Sequence, residues 1–181
     1  MVVACQPSSS STEPIQKPYF DVAGLIAQQV GSLSQTKPRL NKATELDETT
    51  DQFVETPDAE SWEQELKFFA ELDLNQSILL DAYHTESSQQ GDTIVLRFTP
   101  KQTRRSGVQW LEVYTVNDLP QRVAAATRDK NALYRTGREL RLQLEPAGDT
   151  VRITDYQITG FQKMILKDSV SYRIEGVVLY Q

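Results

Sequence analysis

Apolar residues recur along this chain with two different periods, and the change from one to the other divides it. Val22, Leu25, Ile26, Gln29, Val30 and Leu33 are spaced by threes and fours, which places them on one side of a helix over about 19–35. Asp21 is positioned to cap that helix and Pro38 to close it. Trp62, Leu66, Phe69 and Leu72 form a second stripe over about 58–73, with Glu60, Glu63 and Glu65 early, where the helix dipole favours anions. From Thr93 the period becomes two. Ile94, Leu96 and Phe98 share a face, and Glu139 to Glu145 alternates strictly around Leu140, Leu142 and Leu144.

Turn signals at Gly107, Asn117 to Pro120, Asp129 to Asn131, Pro146 to Asp149 and Lys167–Asp168 cut the β region into runs 93–99, 108–116, 121–128, 132–145, 149–166 and 169–180. Connections this short imply hairpins and an antiparallel meander. Val151 and Ile153 are out of phase with Tyr156 and Ile158, which predicts a bulge or bend near Asp155. Residues 39–46 and 49–54 are two further β-capable runs around Asp47–Glu48, read as a solvent-facing hairpin, whereas 74–90 is mixed. The expected fold class is therefore α+β, with N-terminal helices packed on one face of a curved antiparallel β-meander sheet of about six strands. Residues 19–181 are expected to form that single domain, and 1–18 a separate leading segment.

Hydrophobic residues make up 39% and charged residues 24%, which suits a globular chain. The net charge of −6 is uneven: residues 1–90 carry 5 Lys and Arg against 15 Asp and Glu, and residues 91–181 carry 14 against 10. No nucleic-acid partner is expected from this, because specific nucleic-acid surfaces cluster their cations with aromatic or glycine-rich readers. Arg104 and Arg105 fall in a loop. Arg138 shares a face with the leucines while Arg135 and Arg141 point the other way, so any basic site would need loops or neighbouring strands.

The leading segment changes the picture most. Met1-Val2-Val3-Ala4-Cys5 precedes a Ser-, Thr- and Pro-rich stretch from Gln6 to Pro14. Val-Val-Ala-Cys resembles the end of a bacterial lipobox, in which the cysteine is diacylglycerylated. That resemblance implies lipidation at Cys5, with residues 1–18 a lipobox remnant and flexible tether, since such a composition cannot offset its ordering entropy by burial. The charged and apolar parts of a signal peptide are not seen ahead of it, so Met1 reads as an internal start. With a single cysteine in the chain no internal disulfide forms. Gln6 after the cysteine, under sorting rules like those of enteric bacteria, implies the outer membrane.

Catalytic signatures are sparse. His84 is the only histidine, so a Ser-His-Asp site would have to use it, and a site with several histidine ligands is excluded. Asp81 lies three residues before His84 and would share its face on a helix; Asp73 and Asp81 are the other pair weighed as acid and base. Nucleophile-elbow, P-loop and dinucleotide motifs are absent from the sequence. Trp62 and Phe69 read as core rather than as an aromatic cofactor box. No catalytic, cofactor-binding or metal residue is assigned, and no cofactor is expected.

The order of lipobox, Ser-rich tether, Tyr19-Phe20-Asp21 opening one helix, Trp62 to Leu66 opening another, and a β-rich half ending in Ser171 to Gly176 resembles small uncharacterised lipoproteins of the Bacteroidota. The resemblance implies an envelope location and carries no catalytic residues. The expected function is a non-enzymatic binding or assembly module on the periplasmic side of a membrane, expected to be the outer one, held by its lipid anchor and in contact with another envelope protein. The alternative is a carrier or sensor of an apolar ligand between sheet and helices; a hydrolase using His84 ranks third. A carrier needs an apolar cavity of ~300 Å³ or more, whereas the apolar side chains here look sufficient to fill the interior.

Overall fold

The computed structural model describes residues 17–47, 49–102 and 107–180. The chain is α+β: helices α1 (Val22–Thr36) and α2 (Ala59–Ala70) accompany an open antiparallel sheet of nine strands. These are β1 (Arg39–Leu46), β2 (Thr49–Glu55), β3 (Tyr83–Gln90), β4 (Thr93–Pro100), β5 (Gly107–Val116), β6 (Leu119–Lys130), β7 (Tyr134–Ala147), β8 (Thr150–Met164) and β9 (Ser169–Leu179), in the spatial order β2-β1-β9-β8-β7-β6-β5-β4-β3. The expected count of about six is too low. The hairpin 39–55 joins the sheet through β1 and β9, with Leu40 opposite Val178, and so lies between the helices in sequence instead of apart from the meander. The third addition, β3, has the sequence YHTESSQQ and buries only Tyr83. Its polar face gives periodicity no signal, and a short polar strand is what blunts a sheet edge against pairing with another chain. β2, at the other edge, is exposed along its whole length.

Both helices start on an aspartate. The Asp21 carboxylate accepts from the Gly24 N–H at 2.9 Å and the Asp58 carboxylate from the Ser61 N–H at 2.9 Å, each satisfying one of the free N–H groups of a first turn. Their apolar stripes then meet alternate residues of the sheet. Leu25, Ile26 and Leu33 of α1, and Trp62, Leu66 and Phe69 of α2, lie in one cluster with Leu111, Val123, Leu140, Leu142, Ile153, Tyr156 and Ile158. The cover is partial, however: Leu46, Phe53, Tyr134 and Met164 lie on the sheet and remain exposed.

The phase change in β8 is a bulge. Gln143 pairs with Asp155 but Leu144 pairs with Ile153, so Thr154 is extra, and Val151, Ile153, Tyr156 and Ile158 are all buried despite their mixed parity. Pairing of β8 with β9 reaches only from Lys163 to Asp155. Beyond it, Gln29 of α1 takes the place of a strand: its side-chain amide donates to the Val151 carbonyl at 2.8 Å and accepts from the Ile153 N–H at 3.0 Å. The Tyr180 hydroxyl donates to the Ile153 carbonyl at 2.9 Å. Gln29 is fully buried because both ends of its amide are satisfied.

Candidate functional site

Two features could carry chemistry, one beneath the helices and one at an end of the sheet. Beneath α2, the Glu65 carboxylate holds the Lys42 ammonium and accepts from the Tyr156 hydroxyl at 2.6 Å. Burial, and then the bond to Glu65, pushes the Tyr156 phenol well above its ordinary range. A phenol held protonated cannot serve as a base near neutral pH, and the three groups satisfy one another. Tyr156 also packs edge-on to Phe69, and a side chain at Gly176 would collide with its ring. The cluster ties α2 to β1, β8 and β9.

The other feature lies where β6 ends, β7 and β9 begin and β8 ends. Asn131 builds the β6–β7 connection: its side-chain oxygen accepts from the N–H groups of Leu133 and Tyr134 at 2.7 and 2.9 Å, and its own N–H donates to the Tyr134 carbonyl. The β8–β9 turn lies alongside, joined by the Ile165 N–H to the Leu133 carbonyl at 3.0 Å. Leu133 is 69% exposed, Ile165 57% and Leu166 99%, with Tyr134 and Met164 exposed beside them. Leu166 also adopts φ +65°, a left-handed conformation that favours glycine and is rare for a bulky side chain. Two local costs therefore fall on one leucine.

Directly behind these apolar tips the register sets Lys130 opposite Arg135 and Arg135 opposite Lys163, three cations side by side on consecutive strands. Like charges in directly opposed positions destabilise a sheet. Among the described residues neither Arg135 nor Lys163 forms an ion pair. Arg128 lies one rung further in, on the same face, and Lys167 lies in the β8–β9 turn; the nearby anions are Asp129, on the opposite face, and Asp168. A cleft of about 330 Å³ runs between the two loops, lined by Leu133, Tyr134, Arg135, Lys163, Met164 and Ile165 among others.

Comparison with protein-family models, with curated proteins and with solved structures finds no match.

The residues singled out in the sequence do not assemble into a catalytic site. His84 is exposed on β3, not on a helix, and Asp81 precedes that strand, bound to Lys101. The Lys101 bond holds the Asp81 carboxyl below its ordinary range, with His84 a lesser contributor. Asp73 accepts from the Asn75 N–H at 2.9 Å, and no bond joins Asp73 to Asp81. Arg135 and Arg141 are exposed; Arg138 lies over Phe68 at 4.7 Å, its Nε donating to the Tyr172 hydroxyl at 2.9 Å. Trp62 and Phe69 are fully buried in the core. Cys5 with its tether, and Arg104 and Arg105, lie outside the described residues. Among the described residues no group of three or more His, Cys, Asp or Glu is placed to hold a metal ion, and no helix is long and apolar enough to cross a membrane. The cationic rung escaped sequence reading because it depends on strand register. The run MILK, which leaves β8 at Met164 and enters the turn with Ile165 and Leu166, was the available signal, since turn positions seldom carry consecutive apolar residues.

Proposed function

We propose that this chain is a bacterial envelope lipoprotein of the Bacteroidota type, anchored through Cys5 at the periplasmic side of the outer membrane, that works as a non-enzymatic binding or assembly module. The observation that carries the binding role is the exposed end of the sheet, where apolar loop tips project in front of a row of cations. Contiguous exposed apolar surface rimmed by polar groups marks interaction sites. The interior supports a binder over a carrier: open clefts line the ends and flanks of the sheet, and the five described by their lining residues do not reach Trp62, Leu66, Phe69, Leu140 or Leu142.

The anchor is tested by expressing the gene with its upstream segment and replacing Cys5 by Ser. The variant is expected to move from the membrane to the soluble fraction, because stable anchoring takes more than one acyl chain and all of them would be lost with the thiol. Unchanged membrane partition contradicts the lipoprotein reading. The binding role is tested by in-cell crosslinking from position 133; crosslinks to envelope components support it, and their absence from an abundant, folded protein contradicts it.

A further inference from the structure

We infer that the exposed end of the sheet docks directly on an anionic lipid bilayer, with Leu133, Ile165 and Leu166 inserted among the acyl chains and the row Lys130–Arg135–Lys163, with Lys167, at the level of the headgroup phosphates. This deepens the binding-module reading by naming the partner of that same end, and rests on it.

Shape favours a bilayer over a protein groove. Three of the four most exposed apolar side chains among the described residues, Leu133, Ile165 and Leu166, sit on two adjacent loop tips at one end of the sheet, held together by the Ile165–Leu133 backbone bond with an open cleft between them. Tyr134, with an apolar ring and a polar tip, stands at their base, where an interfacial aromatic belongs. Strands rise roughly 3.3 Å per residue, so Arg135 and Lys163 lie one step behind Tyr134 and Met164, in the order in which acyl chains give way to phosphates.

Charge fixes the kind of lipid. Arg135 and Lys163, directly opposed on adjacent strands and without an ion pair among the described residues, repel one another, and a surface of phosphates relieves that repulsion. The leucine at φ +65° points the same way: glycine would relax the turn, yet a fully exposed Leu166 stands there. The direction of the chain agrees as well. Tyr19 hydrogen-bonds with the Tyr83 backbone at the start of β3, and β3 begins at the end of the sheet where β6 finishes and β7 starts. Residues 6–16 separate Lys17 from Cys5, a span of at most roughly 40 Å, so a lipid on Cys5 and the apolar tips can reach one bilayer together.

The test uses the full chain with Cys5→Ser, so that no acyl chain contributes, mixed with phosphatidylcholine vesicles with and without phosphatidylglycerol. Flotation is expected with the anionic vesicles and to weaken roughly tenfold or more between low and physiological salt. The variant Leu133→Ser/Ile165→Ser/Leu166→Ser should lose flotation, and Arg135→Ser/Lys163→Ser should lose the preference for phosphatidylglycerol; the second variant keeps the test decisive if the first misfolds. No flotation of the parent, or equal flotation of parent and both variants, overturns the inference. If flotation fails while crosslinking from position 133 still captures an envelope protein, the lipid partner is wrong and the binding-module reading stands; loss of both removes the reading as well.

Discussion

Strand β7 spends its apolar residues in two ways, and the contrast between its ends explains the molecule. Leu140, Leu142 and Leu144 alternate strictly and are buried under the helices, Leu142 completely. At the other end Leu133, one residue before the strand, and Tyr134, opposite Met164, border the equally bare β8–β9 turn and stay exposed. Burying a leucine side chain is worth roughly 2 kcal/mol, so one end of the strand holds the fold together while the other forgoes that gain. Selection for stability alone accounts for the first end. The second fits the proposed binding surface, which would need its apolar groups free.

The contrast breaks most visibly at the covered end. Leu142→Ala should destabilise by about 2–5 kcal/mol, read as a lower urea midpoint, because the packed core cannot fully close the space left. Gln29→Ala should cost less, about 1–3 kcal/mol, by leaving the Val151 carbonyl and the Ile153 N–H buried without their partner. Faster amide exchange at Ile153 would locate the damage.

How much of this was legible follows from the same two residues. Strict alternation exposes Leu142 in the sequence, and parity alone reveals the β8 bulge. The spacing also places Gln29 on the α1 stripe, yet the bond it makes lies more than a hundred residues away, and nothing local to either partner announces it. β3 was invisible because a polar edge strand lacks a hydrophobic face to show a period. Lys130, Arg135 and Lys163 are scattered in sequence and meet only through register, which a shift of one residue would abolish. Patterns made within one element can be read directly; those made between elements require the pairing.

A smaller effect separates helix ends from both regions. Asp21→Ala should cost about 1 kcal/mol at neutral pH. The Lys17 bond holds the Asp21 carboxyl below its ordinary range, opposed by burial and supported to a lesser degree by the Gly24 N–H. A lowered folded value means that this contribution is complete above the unfolded pKa of about 3.9 and disappears as pH falls through the folded one. Wild type and variant should therefore converge in acid denaturation scans, and a difference that persists below pH ~2 would contradict the capping role.

The smallest stability effect is expected where the sequence is most apolar and most exposed, and it tests the central claim that the bare end serves binding and not folding. Urea denaturation of Leu133→Ser/Ile165→Ser/Leu166→Gly should give a stability within about 1 kcal/mol of the parent, because exposed substitutions change little and glycine relaxes the turn at φ +65°. A loss as large as that of Leu142→Ala would show that these side chains belong to the core after all.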